Sequence, residues 1–532
     1  MPDPTGQAGG SPDASGEPSS VARAIYQALA DGDWDRATSL AEANWSQLTS
    51  YEVPLIRAVA DALPADYLDE NPRWVSVLRF ARHSVSSGQT RITAMTHRPN
   101  SPALTGLDRL VYLADASTAA RGFGEYAKAV EHAAEALSLI RSRFVVAPAA
   151  GAELLPTILF LLGMSFEAGA RIEEAVEVFG RAYAEAIEYA NPRVAADSSG
   201  ELAWLYSLAG RRSASDEWLE RHLDITSISP AMRMLRKTAH LALASRAKDR
   251  LDFETARAEL DLVAATPNPD HRLAAVALRA VVDTLSREVA PSTVIGALED
   301  AVAVSPRIAR AHGLDRRLLA SARAFVDDHS GVPEHAVRNL ESDSAGLGPV
   351  AVYPRLAVSR FLVDDYDGAT ADADQVLQTP DIWPRAQVAA LTVKAAVAMR
   401  RRDVQAARDL FEQAVQRALD NQIVIALSCL PHEDFTALVA LAFAKGAEPD
   451  GLAELGATVD AFPPGGPAFS GLTPQQSRVV ALLAQRLTLG EAAERLGIAR
   501  NTAKVHIAAI YSKLGVSSRE GMIAEAKRRG LI

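Results

Sequence analysis

Between residues 20 and about 460 the chain shows almost no alternation of apolar and polar residues, while apolar positions recur at spacings of three and four. That period belongs to helices with one buried stripe and not to strands. A second regularity narrows the choice. Small residues stand twelve apart as Ser117/Ala129, Gly163/Ala175, Ala203/Ser215, Ala244/Ala256, Ala357/Ala369 and Ala395/Ala407. In four of these pairs a large residue follows four positions later: Phe179, Leu219, Leu260 and Phe411. A small residue late in one helix and another early in the next let the two cross closely. The large residue one turn on fills the gap against the following pair. An all-α chain built of helix pairs is predicted, and 532 residues exceed one ordinary core.

The turns carry their own chemistry in "GEYAKAVEHAAEAL" (124–137), "DYDGATADA" (365–373) and "RDVQAARDLFEQA" (402–414). With the small-residue spacing, these resemble the tetratricopeptide repeat, in a degenerate form spaced by about forty residues. The resemblance implies a tetratricopeptide-like α-solenoid over residues 20–460, with roughly eight to ten helix pairs. Such arrays present a concave groove, here expected to take an effector that is a small molecule, a peptide or a protein. Basic stretches such as "RMLRK" (233–237) and "MRRRD" (399–403) read as solvated helix faces more readily than as recognition surface.

Several other classes are disfavoured. The start, "MPDPTGQAGGSPDASGEPSS", is acidic and rich in Gly, Pro and Ser, so residues 1–19 read as a disordered tail and not an export signal. The apolar run "TILFLLGM" (157–164) is too short to span a bilayer, and a cytoplasmic protein without a membrane partner is expected. One cysteine, Cys429, rules out an internal disulfide and suits a reducing compartment. "GFGEYA" (122–127) has the spacing of a dinucleotide loop but coincides with a repeat turn. No GxxxxGK[ST] or HExxH stretch occurs, and His432 in "LPHEDF" (430–435) reads as part of a helix start. Neither a metal nor a cofactor is expected, and no catalytic constellation emerges.

Charge separates the end of the chain from the rest. Residues 472–532 hold ten Lys/Arg against four acids, a balance of +6, leaving −17 for the remainder of a chain whose total is −11. A basic unit on an acidic body is the asymmetry expected of a nucleic-acid binder. "AFPPGGPAFSG" (461–471) is a linker, and explicit helix punctuation follows it. Thr473, Pro474 and Gln476 form a capping box, Thr488 and Glu491 a second, and Ser517 and Glu520 a third. Gly497, Gly515 and Gly530 supply stops. Four helices are predicted at about 474–486, 489–496, 500–514 and 518–529.

The second and third of these, joined by the short "GIA" turn, make a helix-turn-helix. In the third, Ala503, Ile507, Ile510 and Leu514 form the buried stripe, and Asn501, Lys504, Val505, Ala508 and Ser512 the outer face. Short side chains for close approach, a cation for phosphate or guanine and an apolar contact for a thymine methyl suit a groove-reading helix.

Over residues 472–532 the chain resembles the LuxR-type DNA-binding domain, end to end and without gaps. The residues that carry the resemblance are Leu472, Thr473 and Gln476; Glu491, Ala492 and Ala493; Thr502 to His506; and Lys513 to Val516. Departures are Gln476 and Arg478 where acids are common, Ala503 for valine, and Ala499 where a Ser or Thr usually caps the recognition helix. The lost cap weakens that helix by about 1 kcal/mol. The resemblance implies that Lys504, Val505 and Ala508 face base edges of double-stranded DNA. It places Arg500, Asn501, Thr502, Thr488 and Lys513 near phosphates. His506 stays open between a phosphate contact and a brace of the bundle. The last helix is expected to make a dimer contact through Met522, Ile523 and Ala526, giving a homodimer on an inverted-repeat operator.

The reading is therefore a DNA-binding transcriptional regulator, not an enzyme, controlled through its helical repeats. It resembles the large LuxR regulators without their ATPase. The alternative is a helical-repeat scaffold with a vestigial DNA-binding end.

Overall fold

The computed structural model describes residues 19–528, apart from 72, 78–105, 143–151, 228–234, 267–270, 305–312, 348, 444–451, 453–473, 486, 515 and 517. The tail expected at 1–19 (except Ser19) and the linker at 461–471 lie outside the described residues. Among the described residues the regular structure is helical throughout, without a strand. None of these helices is long and apolar enough to cross a membrane.

Four of the six pairs of repeated small residues, Ser117/Ala129, Gly163/Ala175, Ala357/Ala369 and Ala395/Ala407, join consecutive helices that pack on each other. All twelve are buried, as are Phe179, Leu219, Leu260 and Phe411. Between the helices Gly106–Gly122 and Tyr126–Arg141, the Ser117 hydroxyl donates to the Ala129 carbonyl at 2.8 Å. Between Leu155–Ala168 and Ile172–Glu188, the Phe179 ring lies so close to Gly163 that a Cβ there would sit 2.6 Å from it. A side chain at 163 would force the two helices apart, which is why only a glycine fits.

Three of the turns inside the pairs share one solution. Leu251, Asp364 and Arg402 hold left-handed φ of 62°, 62° and 65°, and each is followed by an aspartate that caps the next helix. Asp252, Asp365 and Asp403 accept from the amides of Thr255, Gly368 and Ala406 at 3.0, 3.0 and 3.1 Å. The cap satisfies an orphaned amide and offsets the strain of the left-handed residue before it. "GFGEYA" is a turn between two helices with Gly124 at φ 76°, but Glu125 after it makes no side-chain cap.

The chain divides into two compact units: residues 1–205 with 217–239 and 266–269, and residues 206–216 with 240–265 and 270–532. In the first, segments far apart in sequence meet through polar side chains. The Trp45 indole donates to Thr157 at 3.2 Å, the Ser46 amide to Glu153 at 3.1 Å and the Asn191 amide to Thr49 at 3.3 Å. The second centres on Phe361, Phe411, Phe435 and Leu438. There Arg385 grips Asp249 with both terminal nitrogens, at 2.9 and 2.7 Å, and Lys248 adds a third contact at 2.8 Å. Burial pulls the Lys248 ammonium down to about 8, with Arg385 beside it adding to the shift.

Cys429 is buried in this second unit, and burial pushes its thiol up to about 12. It is a core thiol. His432 begins the helix His432–Ala442, and Asp434 in its first turn is buried and paired with Arg400 at 2.7 Å.

Candidate nucleic-acid interface

The last four helices are α1 (Pro474–Ala484), α2 (Leu489–Arg495), α3 (Arg500–Leu514) and α4 (Arg519–Arg528). Their punctuation explains them. Proline opens α1, where its missing amide costs nothing. Thr488 caps α2: its hydroxyl accepts from the Glu491 amide at 3.3 Å, and the Glu491 carboxylate accepts from the Thr488 amide at 2.7 Å. Those hydrogen bonds hold the exposed Glu491 carboxyl below its usual value. Gly497, at φ 64°, ends α2 and turns the chain into α3.

Thr473 lies outside the described residues, and Gln476, assigned to its box, is buried. At α4 the cap is Ser518, one position later than expected, with its hydroxyl accepting from the Gly521 amide at 3.0 Å. The shift lets α4 begin at Arg519 with Met522 and Ala526 facing inward.

Val479, Val480 and Leu483 of α1, Ala492 of α2, Ile510 of α3, and Met522 and Ala526 of α4 form one small aliphatic core. Ile507, Tyr511, Val516 and Ile523 pack around it, and so does Val332 from the turn before Pro333–Leu347. This core fixes the rotation of α3. Ala503 and Ile510 are buried, whereas Thr502, Lys504, Val505 and Ala508 are exposed. Val505 is 68% exposed, more than any other large apolar side chain among the described residues. A valine left in water forgoes about 1.5–3 kcal/mol of burial.

The outer face therefore brings a cation, an apolar contact and a near-absence of bulk together along one side of α3. The backbones of Arg500, Asn501 and Lys513 lie on the same helix, but their side chains are outside the described residues. His506 is half-buried at the edge of the face. Thr488 is exposed at the start of α2. Met522 and Ala526 are interior, so of the three residues expected at a two-fold contact Ile523 alone is partly exposed.

Sequence reasoning counted Arg519 as one more positive charge. In the structure its Nη2 donates to the carbonyls of Leu483 and Leu487, both at 2.7 Å. A cation on the first residue of a helix opposes the dipole there, and that was the available signal that its side chain has business elsewhere.

Residues 470–526 match the family model described as bacterial regulatory proteins, luxR family. The C-terminal unit is a helix-turn-helix domain of that family. Over 62 residues the chain is 37% identical to a protein of Mycobacterium bovis named "Putative HTH-type transcriptional regulator", and equally to two Mycobacterium tuberculosis proteins of the same description. Each match spans 12% of this chain and 7% of the relative's length.

Proposed function

We propose, with a luxR-family domain at its C-terminus as the premise, that the chain is a transcriptional regulator that reads double-stranded DNA in the cytoplasm. In this reading α3 lies in the major groove with Lys504, Val505 and Ala508 toward base edges. Arg500, Asn501, Thr502, Thr488 and Lys513 approach the phosphates, giving register and salt dependence. The observation that carries it is the rotation of α3: Ala503 and Ile510 are sealed inside while Lys504, Val505 and Ala508 face out. The chain binds as a homodimer across an inverted repeat, with the partly exposed Ile523 of α4 at the contact.

The helical array, a tetratricopeptide-like solenoid in this proposal, receives a small molecule, peptide or protein. Occupancy alters how the array holds the C-terminal unit; the packing of Val332 against that unit's core supports a mechanical link. The acidic body adds an electrostatic one, screening the basic unit until it is released.

Lys504→Ala tests the reading. Binding of the full chain to duplexes recovered from genomic DNA should weaken by about 1–3 kcal/mol, with the circular dichroism spectrum unchanged. Wild-type affinity in that variant would favour a helical scaffold whose terminal unit no longer reads DNA.

A further inference from the structure

We infer that Arg519 is a positioning residue for DNA recognition, holding the start of the helix-turn-helix at a fixed angle to α4. The inference rests on the DNA-reading proposal above. Four carbonyls at the end of an α-helix have no partner within it. Leu483, next to last in α1, offers one of them, and Leu487, in the connection between α1 and α2, offers another carbonyl. Both converge on a single nitrogen of Arg519. The guanidinium leaves the positive end of α4, where it is disfavoured, for the negative end of α1, where it is favoured.

Leu487 is the residue before Thr488, whose amide and hydroxyl are committed to Glu491. The connection is thus clamped from one side by α4 and from the other by the cap of α2. The buried Ala492 of α2 shares the small core with Ile510 of α3 and so helps to set the orientation of α3. Arg519 therefore ties the helix expected at the two-fold contact to the pair that meets the duplex, and fixes the tilt of each recognition helix. In this inference it acts through the protein and not by touching DNA, with Nη2 committed to the two carbonyls.

The test uses the full chain and a labelled duplex that the wild type selects from a random-sequence pool, with affinity followed across salt concentration. Arg519→Ala should bind about tenfold more weakly, a loss of about 1.4 kcal/mol, with the logarithmic salt slope unchanged. Arg519→Gln keeps amide donors without the charge, so it keeps the fold should alanine not. It should lose less affinity than alanine, again at constant slope. A slope lower by about 1 in either variant would make Arg519 a phosphate contact and overturn the inference. Wild-type affinity in a folded Arg519→Ala would overturn it too, reducing the residue to a structural tie. Lys504→Ala runs in parallel: if it also binds like wild type, the DNA reading has failed, whereas loss there and none at Arg519 condemns the positioning role alone.

Discussion

The helical array and the C-terminal unit are both all-α, yet they are built on opposite terms. The array buries large side chains completely, among them Trp74, Phe179, Phe411 and Phe435, and seals charges beside them. The C-terminal unit has a core of valine, leucine, isoleucine, alanine and one methionine, and it leaves Val505 in solvent. The terminal unit stays small and holds its shape with caps and one bridging arginine. Stability and affinity should therefore respond to different residues.

The largest break in that contrast is Phe411→Ala. It removes a fully buried ring at the contact with Phe435 and should lower the stability of the array by about 3–5 kcal/mol in denaturant unfolding. DNA affinity of the folded fraction should not move. Asp328 gives the next effect. Its carboxyl is buried beside Ser359 at 3.0 Å and Arg355 at 3.4 Å, and burial outweighs that guanidinium to push it up to about 7.

The folded state therefore holds this proton more tightly than the unfolded chain, whose aspartate titrates near 4. Stability falls as pH rises through that window and levels off above about 7. Between pH 5 and pH 8 the wild type should lose on the order of 2–3 kcal/mol that Asp328→Asn does not lose. Melting curves at the two pH values check this, and parallel behaviour would show the carboxyl ionised throughout. Thr488→Ala, removing the cap of α2, should cost the terminal unit about 1 kcal/mol and leave the array's transition unmoved. The smallest stability effect is at Val505. Val505→Ser should change stability by less than about 0.5 kcal/mol, while DNA affinity drops if the side chain meets a base.

How far these features could be read in advance depended on the distance between the partners. Small residues twelve apart pack across one turn, so Ser117 with Ala129 was legible, whereas Phe179, expected against the following pair, packs on Gly163 of its own pair. The box of Thr488 and Glu491 was legible for the same reason, being a contact within one helical turn. At α4 two adjacent serines offered the same chemistry, and only the inward demand of Met522 and Ala526 chose Ser518 over Ser517. The grip of Arg385 on Asp249 spans 136 residues and carries no local signal. The tie from Arg519 to Leu483 goes to backbone carbonyls, which every residue has, so nothing in the side chains of the recipient marks it.

The single thiol has a practical corollary. Because Cys429 is enclosed and resists ionisation, the native chain offers maleimides no ready target near neutral pH. Ala508→Cys would then install one labelling position on the outer side of α3, where a fluorophore could report contact with a duplex by quenching, without first stripping the chain of competing sulfur.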